Sequence, residues 1–222
     1  MLQSSTLLFL KNLKKNNNKE WFDVNRKKYE SAKQDFVTFV NNILQQLSQT
    51  DNSIAHLQAK DCIFRINRDI RFSKDKSPYK TNMGAFFSKG GKKVHLAGYY
   101  FHLEPGNCFV GGGIYLPDGD AIKKIRQEID YSFKEFSSII SHKNFKKEFG
   151  GLDLSEENGL AREPKGYDKN NQAIEYLKLK NWMAFKPLSD AEITNADLLK
   201  KTVSAFNSIH PLVAFLNRAI EE

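Results

Sequence analysis

The residues best suited to chemistry lie in one stretch, residues 64–84, which we call the basic segment. Between Lys60 and Lys93 the sequence has ten Lys and Arg residues and three Asp residues, a local excess of +7 in a chain whose formal net charge is +8. Charge concentrated in one place creates a field that attracts an anion, and it does more than keep a protein soluble. We therefore expect an anionic ligand to bind here.

Arginine suits bidentate recognition of a phosphate or carboxylate, and lysine supplies a longer-reaching charge. The candidate ligand-binding side chains of the basic segment are Arg65, Arg68, Arg71, Lys76, Tyr79 and Lys80. The alternative to a ligand site is a solvated strand face followed by a basic loop over residues 73–80, with Tyr79 packed against a sheet.

The first part of the basic segment alternates, as a strand does. If it is one strand, Phe64, Ile66, Ile70 and Phe72 fall on the core side together with Arg68. A bend at residues 67–69 would change this alternation; otherwise Arg68 is buried and needs a carboxylate partner.

Three residues are candidates for proton transfer: Asp69, His102 and Glu104. Asp69 lies between arginines and could orient them or act as a base, whereas His102 and Glu104 share a predicted strand face with Tyr100. The alternative for His102 is a structural role, as a strand histidine whose hydrogen bonds are satisfied within the fold. No metal-binding spacing is present, and we expect no metal and no cofactor.

Two further motifs are candidates for contact with an anion. Gly111, Gly112 and Gly113 lie inside a predicted strand, where their amides could meet a phosphate or where they could form a bulge under a helix or an aromatic ring. Lys165 lies in a Pro-Lys-Gly-Tyr turn and could reach the same anion as Tyr167, or the turn could be purely structural.

Hydrophobic periodicity predicts one α+β domain, with N-terminal helices, a central antiparallel sheet and C-terminal helices. Glu104-Pro105-Gly106-Asn107 has the residues of a type II turn and predicts a hairpin. Pro211 is expected to interrupt or restart the last helix. The predicted helices cover about residues 4–13, 19–47, 119–140, 170–181 and 195–208, and the predicted strands about 61–67, 84–88, 94–103 and 108–116.

Composition excludes several classes of protein. Hydrophobic residues make up 40% of the chain and charged residues 27%, so a folded core is expected and wholesale disorder is not. The apolar run Leu7–Leu10 is too short for a signal sequence or a membrane span, and Cys62 and Cys108 suit a reducing compartment. We expect a cytoplasmic protein without a membrane partner. Nothing in the sequence indicates an oligomeric state.

Several motifs, taken in order, resemble an uncharacterised bacterial and fungal family, domain of unknown function 2461. The resemblance covers essentially the whole chain, with Ile114 where some relatives have tryptophan, and it implies a single α+β domain but no established activity or catalytic residues. Its motifs are the long Phe64–Asn82 stretch, Gly98–Gly106, Gly111–Pro117, Pro164–Tyr167 and Pro211–Asn217.

Three functions stay open from the sequence. The first is binding of a phosphorylated or carboxylate ligand in a basic pocket. The second is a metal-independent hydrolase or transferase acting on a phosphoryl or acyl group, with one of the proton-transfer candidates beside the cations. The third is nucleic-acid binding, which would use an open basic stripe with exposed aromatic residues. A purely structural or interaction protein is the remaining alternative.

Overall fold

A computed structural model describes residues 1–221 and confirms a single α+β domain with helices at both ends and an antiparallel sheet between them. The elements, in chain order, are α1 Ser4–Lys15, α2 Lys19–Val24, α3 Arg26–Leu47, α4 Ala59–Cys62, β1 Met83–Phe87, β2 Gly98–Leu103, β3 Cys108–Ile114, α5 Gly119–Tyr131, α6 Phe133–Ser141, α7 Lys143–Phe149, α8 Ile174–Leu177, β4 Trp182–Leu188, α9 Asp190–Ile193 and α10 Leu198–Glu221.

The sheet is an antiparallel meander with strand order β1-β2-β3-β4. The predicted hairpin between β2 and β3 is present: Asn107 N–H donates to Glu104 C=O at 2.8 Å, and Gly106 has a φ of 79°. A positive φ at the third turn position is what a type II turn requires.

The helices cover one face of the sheet, because each long helix carries an apolar stripe. From α3, Phe36 and Phe39 pack against Phe101 of β2. From α10, Phe206 packs against Phe87 of β1 and Tyr99 of β2. Asn18 caps α2, as its residue type predicts, by accepting a hydrogen bond from Trp21 N–H.

The glycines of β3 let α10 and the neighbouring strands approach closely. A Cβ at Gly112 would lie 3.0 Å from the Ile209 side chain of α10. Gly113 has a φ of 114°, and a Cβ there would lie 1.9 Å from the carbonyl oxygen of Trp182. The sequence-based alternative, a bulge under a helix or an aromatic ring, describes the neighbours of these glycines, but β3 pairs with β2 and β4 in continuous register without a bulge.

A buried polar cluster ties the sheet to the helical layer. The Tyr99 hydroxyl donates to Asp51 Oδ2 at 2.9 Å and lies 2.6 Å from Nδ1 of His210 in α10. Asp51 also accepts hydrogen bonds from the backbone and hydroxyl of Ser53. The hydrogen bonds compensate for the burial of these polar groups.

The predicted strand over residues 61–67 is wrong. Gln58 and Asp61 form a capping box that begins α4, and the rest of the segment meets the sheet at an isolated bridge of Ile63 to Ala85. A second isolated bridge, Asn67 to Tyr79, lies outside the sheet. The alternation of apolar and polar residues therefore belongs to an irregular connection here and not to a strand.

Other element boundaries also differ from those predicted. Strand β4 is not predicted from the sequence, because Lys186 and Pro187 break its apolar pattern; proline is tolerated there since β4 is an edge strand. Of the helix predicted over residues 170–181, the structure has only the short helix α8, Ile174–Leu177. Pro211 lies inside a continuous α10. Because proline has no N–H, the carbonyl of Asn207 loses its helical hydrogen-bond partner. Both residues are on the exposed side of the helix.

Gly113→Ala should lower the free energy of unfolding by about 3 kcal/mol or more, because it adds backbone strain and a clash with Trp182. The matched control is Gly119→Ala, since a Cβ at Gly119 has nothing within 4 Å. Urea unfolding of both variants measures the difference. Equal stability of the two variants would contradict the close approach.

Candidate functional site

The second face of the sheet is not covered by the helical layer and carries five aromatic residues, of which His102 is buried and the other four are at least partly exposed. We call this group the aromatic face, and its members are Phe86, Tyr100, His102, Phe109 and Phe185. Four of the rings, those of Tyr100, His102, Phe109 and Phe185, form a continuous row across β2, β3 and β4. Ring centroids lie 5.7 Å apart for Tyr100 and Phe109, 4.6 Å for His102 and Phe109, and 5.4 Å for Phe109 and Phe185.

Glycines lie beneath several of these rings. A Cβ at Gly84 would lie 2.5 Å from the Tyr100 hydroxyl, and a Cβ at Gly111 would lie 2.9 Å from the Phe185 ring. The absence of a side chain lets each ring lie close to the neighbouring strand. The result is a low apolar surface that suits stacking by a flat ligand ring.

A polar line runs along β2 on the same face. The Tyr100 hydroxyl lies 3.0 Å from Nδ1 of His102, whose Nε2 lies 3.5 Å from Oε2 of Glu104. Burial lowers the pKa of His102, an effect that Glu104 only partly opposes. Burial alone would raise the pKa of Glu104, but hydrogen bonds from Asn107, His102 and Thr81 outweigh it and keep the pKa below its ordinary value.

The basic segment meets the aromatic face through Phe64. The Phe64 ring lies 6.4 Å from the Tyr100 ring, and the Lys80 ammonium lies 5.4 Å from the centroid of the Phe64 ring. Burial lowers the pKa of Lys80, and the nearby positive charge of Arg65 lowers it further. Within residues 1–221, neither Lys80 nor Arg65 forms an ion pair with a carboxylate.

The other two arginines of the basic segment already have carboxylate partners. Arg68 pairs with Asp75, and Arg71 makes a bidentate contact with Asp69, through Nε at 3.0 Å and Nη2 at 2.7 Å. The same contact lowers the pKa of Asp69, which makes this carboxylate a weak base. Asp69 therefore orients Arg71, one of the two roles that the sequence left open.

The remaining candidates of the basic segment have mainly structural contacts. The Lys76 ammonium donates to the carbonyl of Ile70 at 3.0 Å. Tyr79 is buried and stacks on Phe22 of α2, with ring centroids 3.9 Å apart. Phe72, predicted to face the core, is instead 95% exposed.

Gly111–Gly113 and Lys165 do not come together with these cations in one anion site. The three glycines belong to a central strand that pairs with β2 and β4, so the structure gives them a packing role. Lys165 is exposed on a turn in which Tyr167 N–H donates to Pro164 C=O at 3.1 Å. Burial raises the pKa of Tyr167, and the nearby carboxylate of Asp130 in α5 raises it further, so the turn lies beside α5.

Three surface cavities of the described chain, of about 390, 640 and 380 Å³, lie away from the basic segment. The first is lined by Asp51, Lys89 and His210, among others. No cluster of three or more potential metal ligands is found within residues 1–221. None of the helices in this range combines the length and the apolar character needed to cross a bilayer.

The fold and the site define a single-domain α+β protein with an open aromatic sheet face and cations at its edge. The family described as conserved hypothetical protein (DUF2461) matches residues 5–215, and the chain belongs to that family, as its motifs indicate. No curated protein and no solved structure matches the chain.

Sequence reasoning missed the aromatic face. Phe86, Phe109 and Phe185 were not candidates, because each alone is indistinguishable from a core residue. The signal that could have found them is the coincidence of glycines with aromatic residues on adjacent strands, but using it requires the strand register and the position of β4.

The lowered pKa of His102 predicts a pH dependence of stability. The unfolded chain titrates near the ordinary value of 6.5, so between that value and the lower folded pKa the unfolded state holds more protons. Stability should therefore fall as the pH falls from 7.5 to 5.5, and His102→Gln should reduce this loss. Urea unfolding at both pH values measures it.

His95→Gln is the control, because His95 is exposed and outside the aromatic face. The control should lose as much stability on acidification as the parent protein. If His102→Gln and the parent protein lose the same amount, His102 is not held neutral by burial.

Proposed function

We propose that this protein binds an anionic ligand that carries a flat aromatic ring, as a nucleotide does. The ring stacks on the aromatic face, and the anion contacts Lys80 and Arg65. The observation that carries the proposal is the pair of adjacent cations without a carboxylate partner at the edge of that face.

The cations support the anionic part of the ligand. Burial is the main cause of the lowered pKa of Lys80, and the positive charge of Arg65 lowers it further, because two like charges held close together disfavour each other. An anion between them relieves this repulsion and supplies the missing partner. The neighbouring arginines do not compete for this role, because Asp75 and Asp69 neutralise Arg68 and Arg71.

The aromatic residues support the ring of the ligand. Phe109 and Phe185 are partly exposed and continue the row of rings that begins at Tyr100, next to Phe64, so an accessible apolar surface leads away from the cations across the sheet. Base–aromatic stacking contributes about 1–3 kcal/mol per base in proteins that bind single strands. A phosphate alone would leave this surface unused.

The cytoplasm is the proposed location. Cys62 and Cys108 are both buried and unpaired, and burial raises the pKa of Cys62 to about 12 and that of Cys108 to about 11. Thiols of this kind are unreactive and suit a reducing compartment.

Calorimetric titration with adenosine monophosphate, adenosine and inorganic phosphate tests the proposal. We expect the nucleotide to bind more tightly than either of its parts. Lys80→Ala combined with Arg65→Ala should weaken nucleotide binding by about tenfold or more, about 1.4 kcal/mol, and leave adenosine binding unchanged. Phe185→Leu should weaken binding of both adenosine and the nucleotide.

Lys147→Ala and Tyr131→Leu are the matched controls. Both residues are exposed on helices, Lys147 on α7 and Tyr131 at the end of α5. Neither control should change affinity. Nucleotide binding that is unaffected by all the site variants, or no binding of any nucleotide to the parent protein, would refute the proposal.

The line from Tyr100 through His102 to Glu104 favours a second candidate function, a metal-independent hydrolase acting on a phosphoryl or acyl group. A neutral His102 could act through Tyr100, whose hydroxyl would pass its proton to Nδ1 of His102 while taking a proton from water beside the bound anion. Turnover of 4-nitrophenyl phosphate or acetate should then fall about 100-fold or more in His102→Gln and be unchanged in His95→Gln. Absence of turnover, with nucleotide binding intact, would leave a binding protein.

A further inference from the structure

One part of the basic segment, Asn67–Tyr79, is a structured loop that projects from the sheet edge, and we call it the finger loop. Its base is closed by hydrogen bonds from Arg68 N–H to Pro78 C=O at 2.9 Å and from Lys80 N–H to Ile66 C=O at 2.7 Å. The Asn17 side chain holds both the N–H and the C=O of Tyr79, which fixes the base to the helical layer.

Contacts inside the finger loop hold its shape. Arg68 pairs with Asp75 and donates to the Ser73 hydroxyl at 3.3 Å. Asp75 also accepts hydrogen bonds from the backbone and hydroxyl of Ser77, and Lys76 reaches across the loop to Ile70 C=O. A loop with this many internal contacts loses little conformational entropy when a ligand binds.

The tip of the finger loop presents Phe72 to solvent. Its 95% exposure is the highest among the large hydrophobic residues of the described chain. The Arg71 guanidinium lies 5.8 Å from the ring centroid, and Lys74 is exposed two residues further on. An exposed ring with cations on a preorganised loop has the composition of a stacking site for a polyanion with bases.

We propose that the ligand is a single-stranded nucleic acid that runs from the aromatic face to the tip of the finger loop, where Phe72 stacks on one of its bases. This inference rests on the proposed function. The basic segment supplies the matching charge, with Arg65, Lys74 and Lys80 close to this path.

The length of the finger loop favours a polymer over a mononucleotide as the ligand. Phe72 is eight positions after Phe64, at the edge of the aromatic face, which permits a span of up to about 26–29 Å. A mononucleotide occupies only one end of such a span. A strand of several nucleotides reaches both ends, so affinity for it depends on Phe72 as well as on the aromatic face.

Fluorescence anisotropy with 5′-labelled oligothymidylates of 2, 4, 8 and 12 nucleotides, and competition by thymidine monophosphate, tests this inference. Affinity of the parent protein should rise with length up to a plateau and fall as salt increases. Phe72→Ala should weaken binding of the long strands by about five- to 150-fold and leave the mononucleotide unaffected. Phe185→Leu should weaken binding at every length.

The controls separate stacking from folding. Phe72→Trp should retain the affinity for long strands, and its fluorescence should be quenched on binding. Tyr131→Ala, another highly exposed ring, should bind like the parent protein. Since Phe72 is exposed, thermal unfolding of Phe72→Ala should match that of the parent protein.

Three outcomes would overturn the inference. If Phe72→Ala binds every length like the parent protein while Phe185→Leu does not, the proposed function stands and the polymer is wrong. If the parent protein binds neither mononucleotide nor oligonucleotide, both fail. If Phe72→Ala loses binding to phosphatidylserine vesicles but not to oligonucleotides, the tip contacts a lipid surface instead.

Discussion

The close approach of backbone to backbone at β3 is the constraint on which the rest of the structure depends. Gly112 admits Ile209 of α10 on one face, Gly111 admits the Phe185 ring on the other, and Gly113 brings β4 against the strand. A side chain at Gly112 would push α10 away from the sheet, and a side chain at Gly111 or Gly113 would clash with β4. The same glycines therefore let α10 pack closely against one face of the sheet and let the aromatic rings lie close to the strands on the other face.

The chemistry of the aromatic face depends on the cations at the sheet edge that have no carboxylate partner within residues 1–221. Lys80 and Arg65 share a positive region beside Phe64, whereas Arg68 and Arg71 are neutralised within the finger loop. The basic segment thus has two parts with different tasks. Paired charges shape the loop, and the unpaired cations are available to a ligand that the aromatic residues can also contact.

The sequence predicted those features that depend on local pattern. Apolar stripes predicted α1, α3 and α10, and Pro105 with Gly106 predicted the β2–β3 turn. Period-two alternation failed at residues 61–67, since an irregular connection with alternating residues looks the same, and it assigned the exposed Phe72 to the core. The aromatic face was beyond prediction because it depends on which residues of β1 to β4 become neighbours. The partners of Arg68 and Arg71 likewise depend on the folded shape of the finger loop.

The most direct test of this account is nuclear magnetic resonance of ¹⁵N-labelled protein titrated with an eight-nucleotide oligothymidylate. The account predicts amide shift changes that cluster at Tyr100, Phe109 and Phe185 and continue through Lys80 into the finger loop. Shift changes confined to α5, α6 and α7, or none at saturating strand, would contradict the assignment of the aromatic face as the ligand-binding surface.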